Sequence, residues 1–206
     1  MFDIDMFETS PSLVRQLHSQ GRHVICYINV GSWEDFRPDA DTFPDSVKGL
    51  SNGWPGERWL DIRRTDILRP LMTQRLRQCA DKGFDGVEPD LMDGWENDTG
   101  FPLTAADQLR YNRMIASTAH SLGLAVGLKG DPEQASALEP DFDYAINEQC
   151  FQFSECDLLV PFIKAGKPVF HVEYSVSTER FCPTTRALGF SSMRKHLALD
   201  AWRETC

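Results

Sequence analysis

The sequence predicts an α/β protein of the TIM-like (β/α)8 barrel class, and three observations carry that expectation. Apolar runs alternate with helix-like segments along the chain. Glycines close the helical segments just ahead of those runs. Two of the runs end in carboxylates: Phe84-Asp85-Gly86-Val87-Glu88-Pro89-Asp90 and Asp143-Tyr144-Ala145-Ile146-Asn147-Glu148-Gln149-Cys150. In such barrels the reacting groups stand at the carboxyl ends of several strands, so acids repeated at that place read as a site.

The elements follow in order. Phe2 to Phe7 reads as a strand. Ser10-Pro11 then offers a cap and a proline for the first helical position, and Gly21 ends that helix. Val24 to Val30 is the next strand. The stretch from Gly31 to Arg64, rich in Gly, Pro, Asp and Trp, is long for a connection; it reads as an ordered functional loop, with Arg58 to Ile62 as a weaker extra strand. Gly83 precedes Phe84 to Asp90. Thr104, with Asp107 three residues on, caps a helix from Ala105 to Leu122. Its Ala105, Leu109, Ile115, Ala116, Ala119 and Leu122 lie near one face. Gly123 closes it ahead of Leu124 to Gly130. Asp131-Pro132 opens another helix, Asp143 to Gln149 is a strand, Ser154 with Asp157 starts a further helix, and Gly166 precedes Pro168 to Tyr174. A short run near Ala187 to Phe190 completes seven strands, where a closed barrel has eight. Mostly continuous apolar runs suit strands covered on both faces and joined by right-handed crossovers.

With 206 residues and no linker-like segment, residues 1–206 are expected to form one domain. The 21 basic and 31 acidic residues give a net charge of −10, which disfavours nucleic acid and anionic membranes and suits a cationic or neutral partner. No apolar stretch approaches the roughly 18 residues that would cross a bilayer, and the Met1 end lacks a signal-peptide layout. Six cysteines are spaced as in exported proteins, Cys150 with Cys156 and Cys182 with Cys206, although six reduced thiols of a cytosolic enzyme fit the count as well. Cys26 and Cys79 stay open between a third bridge and strand-to-helix packing. A monomer is expected.

Glycosidic hydrolysis commonly uses two carboxyl groups, one giving a proton to the leaving oxygen and one attacking the anomeric carbon or activating water. Asp90 and Glu148 are the candidate pair, each terminating a strand with one strand between them. Lys129 ends that intervening strand, where its ammonium would favour an ionised carboxylate or clamp substrate. Glu88, two residues before Asp90, is expected to point inward and deeper, and Asp93 is a further acid near the same end. Asp5 and Glu173, the latter followed by Tyr174, would bond sugar hydroxyls or an amine. Trp33, Trp54 and Trp95 fall in loops at that end, with Tyr27 and Tyr174 on strands; flat rings suit the C–H faces of sugars, and equally pin a loop to the body. The histidines lack metal spacing, no Gly-rich phosphate loop follows a strand, and no serine sits in a nucleophile elbow. A hydrolase using no metal and no cofactor is therefore expected.

Together, Val24-Ile25-Cys26-Tyr27-Ile28-Asn29-Val30-Gly31-Ser32-Trp33-Glu34-Asp35, Gly86-Val87-Glu88-Pro89-Asp90 and Asn147-Glu148-Gln149-Cys150-Phe151 resemble glycoside hydrolase family 114, the endo-α-1,4-polygalactosaminidases. Further stretches agree: Trp54-Pro55-Gly56-Glu57, Gly100-Phe101-Pro102-Leu103-Thr104, Gly127-Leu128-Lys129 and Leu199-Asp200-Ala201-Trp202. The resemblance implies a TIM-like barrel that cuts α-1,4-linked galactosamine polymers internally without metal, with Asp90 and Glu148 as its acids, in an extracellular, biofilm-matrix setting. By analogy with α-glycosidase barrels, Asp90 is the nucleophile and Glu148 the acid/base. Family members usually carry a preceding tryptophan-rich strand, so the first barrel strand is expected to be missing here and Phe2 to Phe7 to pair on one side only. A truncated, non-catalytic barrel that binds amino-sugar polymer, or a hydrolase for another α-linked sugar, are the alternatives.

Overall fold

The computed structural model describes all 206 residues, Met1–Cys206. The protein is α/β, with an eight-stranded sheet of TIM-barrel-like class and a separate three-stranded sheet. It divides into two compact units, Met1–Gly127 and Leu128–Cys206, and the division falls inside a strand, not at a linker.

The first unit contains β1 (Phe2–Asp5), α1 (Pro11–Ser19), β2 (Val24–Asn29), β3 (Ser32–Glu34), β4 (Lys48–Ser51), β5 (Glu57–Leu60), α2 (Thr65–Lys82), β6 (Gly86–Asp90), α3 (Ala105–Ser121) and the start of β7 (Ala125–Lys129). β1 pairs parallel with β2, β2 with β6, and β6 with β7. β1 is an edge of the sheet, paired on one side with β2 as expected. The caps read from sequence are present: Ser10 Oγ accepts from the Leu13 amide, and Thr104 and Asp107 form a reciprocal capping box.

α2 packs through Leu68, Met72, Leu76 and Cys79, all buried at three- and four-residue spacing. Cys79 is bonded to Cys26 on β2, so the open choice resolves as a third disulfide that fastens helix to strand. From the same helix Arg75, 1% exposed, reaches Asp39 with two hydrogen bonds of 2.8 and 2.9 Å and the Asn29 carbonyl with one of 2.7 Å. A guanidinium is tolerated at such depth only with donors matched to acceptors in this way. The bonds pin the 31–64 stretch, which is ordered as expected. Arg58 to Ile62 is corrected, however: β5 belongs to the small antiparallel sheet β3-β5-β4 and not to the main one.

The second unit holds the end of β7, then α4 (Ala135–Leu138), β8 (Tyr144–Glu148), α5 (Cys150–Phe153), α6 (Val160–Lys164), β9 (Val169–Glu173), α7 (Thr178–Ala187), β10 (Ser191–Arg194) and β11 (Glu204–Thr205). Sheet order continues β7-β8-β9-β10-β11, with β8–β9 and β9–β10 parallel and β11 antiparallel to β10. The last barrel-type strand begins at Ser191, beyond the Ala187 to Phe190 run, because α7 extends to Ala187 and Gly189 turns the chain with φ +83°. Ser154 is a second correction. It ends α5 in left-handed conformation and does not begin a helix. Cys150–Cys156 and Cys182–Cys206 are both bonded, with Cα separations of 4.7 and 5.4 Å. No helix is long and apolar enough to cross a membrane.

Candidate active site

The strand-end candidates are set by backbone geometry that the sequence did not disclose. Leu91 follows Asp90 with φ +59°, Gly130 follows Lys129 with φ +67°, and Gln149 follows Glu148 with φ +66°. Left-handed backbone is strained at Leu and Gln, and such outliers collect where surrounding packing holds a functional side chain in place. At Leu91 the packing is visible: a Cβ added to Gly31 would stand 1.8 Å from the Leu91 carbonyl oxygen. Only glycine permits that approach.

In the first unit, Asp90 closes β6 in register with Asn29, and its Oδ2 accepts a 2.8 Å hydrogen bond from the Tyr27 hydroxyl. Glu88 lies in register with Tyr27 and is buried, deeper than Asp90, as expected. Asp5 ends β1 with both oxygens occupied: Oδ1 accepts from the Phe7 and Glu8 amides, and Oδ2 pairs with Arg37 at 2.7 Å. Arg37 also binds Glu34 at 2.8 Å, and burial raises the Glu34 carboxyl above the usual range against the opposing pull of Arg37 and Arg75. Trp33 donates its indole N–H to Ala40 and lies 4.3 Å under the Lys48 ammonium, a pinned ring in the loop. Trp95 and Asp93 sit at the short turn after β6, where the Gln108 side chain accepts the Trp95 amide at 3.3 Å.

Sequence reasoning missed Asn29. Its side-chain oxygen accepts from the Gly31 and Ser32 amides, and its amide donates to Ser32 Oγ, while Glu57 Oε2 collects bonds from Ser32 and Asn52. The network ties the antiparallel β3–β5 pair to the end of β2, beside Asp90 in register. Asn29 and Glu57 both lie within the quoted motifs, but Asn29 is a neutral amide among apolar residues and Glu57 stands outside the barrel-strand ends, so neither gave a chemical signal of its own.

In the second unit, Glu148 closes β8, and its Oε1 receives the Tyr174 hydroxyl at 2.5 Å with the Lys129 ammonium 3.7 Å away. Tyr174 follows β9, the neighbour of β8, and this adjacency brings the two candidates together, a pairing the sequence did not indicate. Glu173 is corrected as a sugar contact. It is 0% exposed, and its Oε1 accepts from the Phe151 and Gln152 amides and meets His171 Nε2 at 2.9 Å. It holds the first turn of α5, the turn just beyond Glu148.

The chain matches glycoside-hydrolase family GH114 over residues 1–206. Among solved structures it is similar to Ega3 of Aspergillus fumigatus, in a crystal complex with galactosamine, at 38% identity and TM-score 0.93, covering 99% of this chain and 86% of that one. It shares its fold with the glycoside hydrolase domain of PelA from Pseudomonas aeruginosa at 17% identity and TM-score 0.74, covering 98% and 89%. A curated relative from Deinococcus radiodurans, described as an uncharacterized protein, is 26% identical over 179 residues, 76% of this chain and 58% of that protein's length. This chain thus spans less than two thirds of that curated relative. Matched over its whole length, with the quoted motifs in order, the chain belongs to glycoside-hydrolase family GH114.

Proposed function

We propose that the protein is an endo-acting glycoside hydrolase that cleaves α-1,4-linked galactosamine polymers by a retaining, two-carboxylate mechanism. The observation that carries this reading is the likeness, over 99% of the chain, to a structure determined with galactosamine bound. In this reading Asp90 attacks the anomeric carbon while Glu148 gives a proton to the leaving oxygen. Glu148 then takes a proton from water as it releases the glycosyl-enzyme ester. Tyr27 orients the nucleophile through its bond to Asp90, and Tyr174 orients the acid/base through its bond to Glu148. Lys129 supplies positive charge beside Glu148, where charge moves twice in the cycle.

The substrate chemistry is consistent with the charge of the chain. Galactosamine without its acetyl group is a cation near neutral pH, and a net charge of −10 draws polycations towards the protein. Three disulfides in 206 residues suit an oxidising, extracellular setting, and in this reading the protein acts as a monomer. Incubation with partly deacetylated polygalactosamine, with products sized by mass spectrometry, tests the proposal. A ladder of short oligomers at early times is expected. Binding of polymer with no new products would instead support a non-catalytic amino-sugar-binding barrel, and cleavage of a different α-linked polymer alone would move the substrate class.

A further inference from the structure

The segment after β10 is built with unusual economy of freedom for a surface loop. Lys195 donates to the carbonyls of Asp200 and Trp202, Asp200 accepts from the Trp202 amide and from His196 Nδ1 at 2.9 Å, and Leu199 is held at φ +51°. The far end is locked as well, by β11 on β10 and by Cys206 bonded to Cys182. Yet this ordered loop turns apolar side chains to solvent: Leu197 is 66% exposed and Leu199 56%. The Trp202 ring stacks on His196, 4.3 Å between centroids and 8° from parallel, and still leaves 40% of the residue exposed. Order of this kind without burial is not what core packing requires, since a free loop with the same side chains would cost less entropy. It is what a preorganised contact surface requires.

The loop also has a position. It leaves the carboxyl end of β10, and just before it Arg194 donates to the carbonyl of Tyr174, whose hydroxyl holds Glu148. We propose that the Lys195–Arg203 loop is a sugar-stacking platform on which the Trp202 ring, backed by His196, carries a pyranose residue of the polymer outside the bond that is cut. A flat ring with one face covered and the remainder open fits the C–H face of a sugar. His196 Nδ1 and the Lys195 ammonium are engaged by Asp200 and by loop carbonyls, which leaves the ring as the recognition element. This assignment rests on the galactosamine-polymer reading above and extends it to a residue removed from the chemistry.

Affinity electrophoresis in gels containing partly deacetylated polygalactosamine tests the platform apart from hydrolysis. Trp202→Phe keeps a flat face and Trp202→Leu keeps apolar contact with His196 but no face. Wild type and the Phe variant should be retarded nearly alike, and the Leu variant should bind about tenfold more weakly at an unchanged melting temperature. Equal retardation of the Leu and Phe variants, or no retardation of wild type, overturns the proposal. Should binding depend on the Trp202 ring while no polymer is cut, the hydrolase reading fails and the platform stands.

Discussion

Gly31 and Leu91 approach so closely that a Cβ on the glycine would stand 1.8 Å from the leucine carbonyl oxygen. The contact joins the loop after β2 to the loop after β6, and Leu91 is the left-handed residue next to Asp90. Gly31→Ala is therefore expected to move the Asp90 turn, because backbone and not a flexible side chain meets the new methyl. A loss of more than about 2 kcal/mol in urea unfolding should accompany a loss of activity. A variant with wild-type stability and turnover would mean that the approach is not required.

Removal of either proposed catalytic carboxylate should separate chemistry from folding. Asp90→Asn and Glu148→Gln are each expected to lower kcat by a factor on the order of 100 to 10,000 or more, with little change in unfolding midpoint. NMR of the first-formed product should show the α anomer retained. Near-normal turnover in one variant removes that residue from the mechanism, and an inverted first product removes the covalent step.

The tyrosines offer a finer test. Tyr174→Phe deletes the hydroxyl on Glu148 Oε1 and leaves the ring, so Glu148 loses an orienting bond but not its packing. A fall of about 10- to 100-fold in kcat with a small change in KM is expected. Tyr27→Phe should do the same through Asp90. A change confined to KM would instead make either tyrosine a substrate contact alone.

Part of this arrangement was legible in the sequence for simple reasons. Strand-end acids such as Asp90 and Glu148 interrupt apolar runs, and glycines such as Gly21 and Gly123 announce left-handed helix ends. Other features escaped because they depend on distant contacts. Glu173 reads like Glu148 in sequence, but the amides of the turn after β8 draw it inward and bury it. Ser154 reads as a helix cap until the Cys150–Cys156 bridge bends its segment into a closed loop. Arg58 to Ile62 has a strand's composition, and only its antiparallel partners decide which sheet it joins. The left-handed backbone at Leu91 and Gln149 gives no sequence signal, since neither residue type favours it.

The three bridges should differ in what they contribute. In the chain-entropy account stabilisation grows with the loop closed, so Cys26–Cys79, 53 residues apart, should contribute about 4 kcal/mol, and Cys150–Cys156, 6 apart, about 2 kcal/mol. Cys182–Cys206, 24 apart, falls between. Paired Cys→Ala variants compared in urea should rank in that order. If the Cys150–Cys156 pair proves the most costly, its worth lies in holding the turn beyond Glu148 and not in loop closure.

Glu155, inside that smallest bridge, gives a pH prediction. Burial raises its carboxyl above the ordinary value of 4.5, and the carboxylates of Glu133 and Glu173 push the same way. A carboxyl whose affinity for protons is greater in the folded state stabilises folding fully below the unfolded pKa and loses that contribution as pH rises through the folded one. Glu155→Gln removes the charge that burial opposes. Its melting temperature should exceed that of wild type at pH 7, and the difference should shrink as pH falls and disappear below about pH 4.5. A difference that stays constant across pH would show that packing or the Glu155 backbone bond to Cys150, and not ionisation, governs the site. A variant less stable than wild type at pH 7 would show that the ionised carboxylate has a favourable partner there.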